Sequence, residues 1–302
     1  MAKTAATKTK ADTADDLISF GSVDDLLACA LDGPEARIPS HDARIDAWLS
    51  DRSDLEWNGL GTMRGRDTVT TLRNGWPEGA QRIAEGVGSI EAPALVSVRR
   101  RVRRGSEGDE VDMQRVWAGD LDHAWARCVP VSVVAPRRVR IIVDMCANGM
   151  ANARELFWRG AAGVALGDAL CEAGYGVTMA SAFAADESEN GRTGRYGRWG
   201  VYVTTKPYEA PFSAVAMAAA TACAGFFRVA GFAAMARLAR RERSNTLGTP
   251  LDLLACDLIP ADPGALTLVV GPRVMSADAA RAWVAASIAT LETGAPAPAG
   301  RG

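Results

Sequence analysis

The stretch Arg138-Val-Arg-Ile-Ile-Val-Asp-Met-Cys-Ala-Asn-Gly-Met150 decides how this chain is read. A β-branched run ends in Asp144, a short polar turn follows, and a helix begins near Ala153. An open α/β sheet presents its first strand-to-helix loop in this way. In such sheets the ligand crevice lies at the carboxyl ends of the strands. Asp144 therefore stands where a site belongs.

Downstream the pattern is orderly. Asn152 to Ala173 reads as a helix with Leu156, Phe157, Val164, Leu166 and Leu170 on its apolar face and Gly174 as its stop. Tyr175 to Phe183 and Trp199 to Thr205 read as strands, joined by a Gly- and Arg-rich loop from Ala185 to Arg198. Phe212 to Arg240 is helical, with a break expected near Gly225 or Gly231. Leu251 to Ile259 is a strand or short helix, Leu266 to Val270 a strand that Gly271-Pro272 ends, and Ser276 caps a closing helix to Thr290. Strands alternating with helices predict a doubly wound, mostly parallel sheet covered on both faces.

Upstream the signals are weaker. Ala14 to Leu31 reads as an irregular helix, Asp42 to Leu49 as another, Thr68 to Asn74 as a third with Asp67 as its N-cap, and Glu78 to Val87 as a fourth. Val96 to Arg104 alternates as a strand, turns at Gly105 to Asp109, and continues into Glu110 to Trp117. The expected division is a disordered tail over 1–13, a mainly helical extension with one Arg-rich strand over 14–136, the α/β domain over 137–293, and a second tail over 294–302.

The 302 residues are 48% apolar, which suits a folded chain and not a disordered one. Lys+Arg 34 against Asp+Glu 36 argues against a protein that is basic throughout. Six cysteines without a C-x-x-C pair point to neither a zinc site nor a disulfide framework. No secretory leader is recognised, and the most apolar run, Ala214 to Phe227, is too short to span a bilayer. The cytoplasm is the expected compartment, with virion association as the alternative.

The loop Asp144-Met-Cys-Ala-Asn148 has the spacing of Asp-x-Ser-x-Ser, in which a carboxylate and two hydroxyls converge on a hard divalent cation. Here Cys146 is a soft ligand that Mg²⁺ rejects, while the Asn148 amide oxygen remains a usable donor. No acid follows the last strand. We therefore expect no resident cofactor, with Mg²⁺ on Asp144 and Asn148 as the weaker alternative. Asp144 is expected to cap the helix or bond its own turn. Neither His41 nor His123 sits in a recognisable catalytic arrangement, and no phosphate-cradling glycine loop is present.

Two resemblances follow. The element order after Arg137 and the Asp144–Asn148 loop resemble a degenerate von Willebrand factor A-like domain. That resemblance implies a Rossmann-like sheet with one short antiparallel edge strand, supplied by Trp199 to Thr205. Members that keep the metal use it to grip an acidic residue of a partner protein. The segments Asn74-Gly-Trp-Pro-Glu-Gly79, Gly108-Asp-Glu-Val-Asp112, Gly119-Asp-Leu-Asp-His-Ala-Trp125, Arg138 to Asp144 and Phe157-Trp-Arg-Gly-Ala161 are similar to uncharacterised proteins of bacteriophages, prophages and actinobacterial mobile elements.

The leading expectation is a non-enzymatic protein-binding or scaffold protein whose contact surface includes Asp144, Cys146, Asn148, Arg192, Arg195 and Arg198. The alternative is nucleic-acid binding through Arg99, Arg100, Arg101, Arg103 and Arg104, with the loop arginines beside Tyr196 and with Trp199 packing under the loop. A metal- or thiol-dependent enzyme using Asp144 and Cys146 ranks last, because no base accompanies the acid.

Overall fold

The computed structural model describes residues 16–33, 49, 65–93, 100–130, 137–147, 151–186, 198–238, 249–250, 253 and 258–293. In chain order the first elements are β1 (Asp16–Phe20), α1 (Val23–Asp32), α2 (Gly65–Asn74) and α3 (Pro77–Val87). Next come β2 (Arg100–Gly105), β3 (Glu110–Val111), α4 (Met113–Trp117) and β4 (Trp125–Pro130). Then follow β5 (Arg138–Asp144), α5 (Ala153–Glu172), β6 (Gly176–Asp186) and β7 (Arg198–Lys206). The chain continues through α6 (Ala214–Met217), α7 (Phe232–Leu238), β8 (Thr249–Pro250), β9 (Leu266–Val270) and α8 (Ala277–Thr293). It divides into a large unit, Met1–Pro93 with Arg138–Gly302, and a small one, Ala94–Arg137. The segment expected as one extension is thus split: α1, α2 and α3 belong with the sheet of the large unit, and the Arg-rich strand belongs to the small unit.

The large unit is an α/β structure around a mixed, mostly parallel sheet of order β1-β7-β6-β5-β9, with β8 pairing on β6. β5 lies parallel to both β6 and β9, and β7 runs antiparallel to β6. Arg138-Val-Arg-Ile-Ile-Val-Asp144 is buried from Val139 onward, which explains its near-continuous apolar run: α5 covers the Ile141 and Val143 face and Leu253, Leu258 and Ile259 meet the Ile142 face.

Three expectations need correcting. Residues 16–20 form a strand rather than the start of a helix, paired parallel with Trp199 to Val203 of β7. Gly21-Ser22 ends the strand, and the Ser22 hydroxyl accepts from Asp25 N at 3.1 Å to start α1. β7 is therefore an interior strand, not the sheet edge, because β1 covers its outer side. Finally, the described helices occupy one face of the sheet. Gly163 of α5 lies over Val143, Ile141 and Val270, and Gly167 over Met179. Ser181 Oγ donates to Ala220 O at 2.8 Å, and Phe183 stacks on Phe227 at 4.3 Å on that same face. The opposite face carries Ile142, Ala180, Ala182 and Tyr202 and is met by Leu253, Leu258 and Ile259. There Arg140 donates to Thr267 Oγ1 at 3.1 Å and to Pro260 O at 2.5 Å, pinning the segment before β9.

Helix α5 is buried on most sides and shows only a narrow, partly exposed stripe of Arg154, Trp158, Ala165, Asp168 and Glu172, so its apolar pattern is broad rather than one-sided. Asn152 and Glu155 form a reciprocal capping box at its start, with bonds of 2.9 and 3.1 Å. Its outer side meets the π-helical run Ala218–Ala222 that continues α6. A second π-helical run, Phe226–Gly231, leads into α7, and the two halves bend by 59° around residues 223–225, close to the expected Gly225 break. Among the described residues no single helix is long and apolar enough to cross a membrane.

The segment Asn74–Gly79 is a packing device. Gly75 adopts φ +86°, Trp76 is buried and meets Phe157 edge-on at 5.8 Å, and Gly79 leaves room for the indole. Phe157–Ala161 continues the same contact, since Trp158 lies against Gly86 and Gly160 against the backbone of Thr221 and Ala222.

The small unit is an antiparallel sheet of order β2-β4-β3. A chain of exposed ion pairs ties its turns together: Arg104–Asp112 at 2.7 Å, Arg115–Asp120 at 2.6 Å and His123–Asp120 at 2.8 Å. The hydrogen bond from Arg104 holds the Asp112 carboxyl below its usual range, and that from His123 does the same for Asp120.

Two predictions follow from this packing. A Cβ on Gly160 would lie 2.2 Å from Thr221 O, whereas one on Gly271 meets nothing within 4 Å. Gly→Ala inside a helix ordinarily stabilises by about 0.5–1 kcal/mol. Gly160→Ala is expected to destabilise by about 1–3 kcal/mol instead, and Gly271→Ala to be near neutral, in urea melts. For the small unit, depressed carboxyl pKa values contribute stability above the unfolded value, about 3.9. That contribution is lost as pH falls through the lowered folded values. An NMR titration should place the midpoints of Asp112 and Asp120 below 3.8; midpoints at or above it contradict these ion pairs.

Candidate functional site

The β5 loop is built from backbone bonds upward. Met145 N donates to Ala182 O at 2.8 Å, extending the β5–β6 ladder past the strand end. Cys146 N donates to Asp144 Oδ1 at 2.7 Å, so the carboxylate closes its own turn, as expected for an Asp at i of such a loop. The Cys146 thiol donates to Ala184 O at 2.7 Å. Both side chains are buried.

Beneath this loop lies a residue that the sequence reading passed over. Arg159, only 1% exposed, reaches from the first turns of α5 to Cys146 O at 2.5 Å, Asp144 O at 3.3 Å and Pro272 O at 3.2 Å. Its guanidinium joins the loop after β5 to the loop after β9. That second loop is where the metal-binding pattern supplies its other acid, and here a cation occupies the ground. Burial pushes the Arg159 pKa down while the Asp144 charge holds it up. Arg228, also buried, donates to Ala151 O at 2.5 Å, and its pKa falls to about 10, first through burial and then through the nearby Arg159 charge. A lone arginine within the otherwise uncharged run Leu156-Phe-Trp-Arg-Gly-Ala-Ala162 was the available signal.

This geometry fixes a backbone and offers little chemistry. Asp144 and Cys146 are too enclosed to serve as surface contacts, and the Cys146 S–H is spent as a donor. Among the described residues no group of three His, Cys, Asp or Glu side chains is placed to hold a metal ion. Burial raises the Cys29 and Cys223 thiols to about 11, leaving them protonated at neutral pH. Trp199 is buried, 4.8 Å from Phe183, and the loop it was expected to pack under lies, over 187–197, outside the described residues. Arg198 opens β7 opposite Asp186 and is half-buried. Asn148, Arg192, Arg195, Tyr196 and His41 lie outside the described residues, as do Arg99 and both tails.

The second cluster is in the small unit. Register sets Arg100, Arg101, Arg103 and Arg104 along β2, opposite Pro130, Val129, Arg127 and Ala126 of β4. His123 is exposed and bound to Asp120, a surface pair without a buried base's environment.

The fold and these two clusters define an α/β protein carrying a small, charged β-sheet insert. The family described as a domain of unknown function (DUF7192) matches residues 9–279, and the chain belongs to that family. No curated protein and no solved structure matches it.

The weight of Arg159 is testable. Arg159→Met keeps the volume but removes the donors to three carbonyls, each costing about 1–3 kcal/mol when buried unpaired. A loss of about 3 kcal/mol or more is expected in urea unfolding. Cys146→Ser, which retains a donor to Ala184 O, should cost much less; equal losses would argue against the clamp.

Proposed function

We propose that this chain is a non-enzymatic protein-binding scaffold of phage-like origin, built on a degenerate von Willebrand factor A-like sheet, and that the small unit makes the contact. The observation that carries the reading is apolar exposure. Val111 (41%), Met113 (47%), Trp117 (79%), Leu121 (61%) and Trp125 (38%) are exposed within one fifteen-residue stretch. Elsewhere among the described residues only Met275 compares. Met113, Trp117 and Leu121 recur every fourth residue, and Trp and Met are enriched where protein interfaces bury their centre. Apolar side chains clustered beside charged ones mark a docking surface better than singly scattered ones.

The β7-β6-β5-β9 order, with β7 antiparallel and Asp144 closing β5, supports the A-like reading; β1 is an addition to that pattern. The phage-like origin rests on the sequence segments quoted above. The locked β5 loop favours binding over catalysis, since its acid and its thiol are both committed to backbone.

The partner is a protein presenting apolar side chains to Trp117 and Leu121. Cross-linking in the producing cell compares wild type with Trp117→Ser. A buried interface tryptophan lost to a small residue costs about 2–4 kcal/mol, or roughly 30- to 1000-fold in Kd. The expected result is a protein cross-linked to residues 111–125 of the wild type and lost from the variant, with both melting alike. Identical cross-link patterns would overturn the proposal.

A further inference from the structure

A polar row crosses the second face of the large sheet. Arg140 of β5 stands in register with Thr178 of β6 on one side and with Thr267 of β9 on the other, and residues in register share a face. The next row on that face, Val269, Ile142 and Ala180, is apolar. Arg140 is 7% exposed and Thr178 8%, so the polar row lies inside the structure. Two tyrosines bring hydroxyls to it: Tyr202, 9% exposed, lies beside Arg140, and Tyr208 lies beside Thr178. Arg138, one row further along β5, is exposed and sets its guanidinium over the Tyr208 ring at 4.9 Å.

This row is short of acceptors. A guanidinium carries five N–H donors. Arg140 places Nε on Thr267 Oγ1 at 3.1 Å and Nη1 on Pro260 O at 2.5 Å, which leaves Nη2. No carboxylate lies within ion-pair reach of it among the described residues. Asp262, the acid of this region, accepts instead from Tyr208 Oη at 3.1 Å and from Gly264 N at 3.2 Å. Thr178 Oγ1 is buried and completes no hydrogen bond among the described residues, although the Tyr208 hydroxyl is beside it. Packing does not ask for that hydroxyl, because valine has the shape of threonine and would leave nothing unpaired. Burial raises the pKa of Tyr202, so its phenol stays a protonated donor at neutral pH. A buried polar group without a partner calls for one.

We propose that this row binds the oxyanion group of a small molecule, a carboxylate or a phosphate, through Arg140, Thr178 and Tyr202. All three present donors, and the guanidinium supplies the charge that such a group completes. A cation is repelled by Arg140 and Arg138, and an apolar ligand would leave the same donors unpaired. Because each of the three residues is nine-tenths buried, only a terminal group of the ligand reaches them. The inference is independent of the protein-binding reading, which rests on the small unit.

The test is a proton–nitrogen NMR titration of the full chain, following the Arg140 Nε–H and the Thr178 amide. Sodium phosphate and sodium acetate are added separately, at an ionic strength held constant with chloride. A saturable shift of both signals with at least one of the two anions is expected, and the tighter of them names the group as phosphate or carboxylate. Thr178→Val and Tyr202→Phe each remove one hydroxyl and should weaken that binding about 10- to 150-fold, the span of a hydrogen bond to a charged group. Thr178→Val should also keep at least the wild-type urea midpoint, since it removes an unpaired buried hydroxyl. No saturable shift with either anion would overturn the proposal, as would an affinity unchanged in Thr178→Val. Shifts confined to arginines elsewhere would put the anion on another surface and reject this site. Chloride reproducing the shifts would reduce them to ionic strength and reject it too. Should Tyr202→Phe fail to fold, the affinity of Thr178→Val decides alone.

Discussion

The close approach of α5 to its neighbours on both sides is the constraint on which the large unit rests. At Gly163 the helix meets Val143 and Val270 of the sheet, and at Gly160 it meets the backbone of Thr221 and Ala222. A helix held that tightly from two directions cannot slide or turn. Its buried arginine is consequently delivered to one place, the junction of the loops after β5 and β9. The guanidinium gains charge-assisted bonds to carbonyls that a buried loop would otherwise leave unpaired. Glycine spacing, helix placement and loop geometry are one device.

That device also fixes the described part of the loop after β5. The place where an α/β sheet ordinarily receives a ligand is closed by Asp144 bonding its own turn, by Cys146 bonding Ala184 and by Arg159 spanning between loops. The large unit concentrates its buried charges on backbone, with Arg140 doing on one face of the sheet what Arg159 does at its end. The small unit leaves large apolar groups in water. An unfavourable arrangement without internal compensation is where a binding role is sought.

Legibility in the sequence followed the range of the forces involved. β5, α5, β6, β7 and β9 were readable to within a few residues because apolar runs and caps act locally. The Asx turn at Asp144 was readable for the same reason. The strand at Asp16–Phe20 was not: its five residues are short, and only the distant β7 supplies its hydrogen bonds. Arg159 was hard to single out because Arg154, which opens the same helix, is exposed, and nothing local tells a buried arginine from an exposed one. The segments around Trp76 and Phe157, which carried a resemblance without naming a function, are contacts of the core.

By itself the sequence determined the alternation of strands and helices after Arg137 and the density of arginine in β2, and for Asp144 it left a helix cap and a bond to its own turn as alternatives. Only the tertiary structure decided that the described helices share one face, that β7 is an interior strand, and that Arg159 joins the loops after β5 and β9. Periodicity and capping are properties of neighbours along the chain. Register, strand order and the company a buried charge keeps are set by pairings between segments far apart in sequence, which no local pattern encodes.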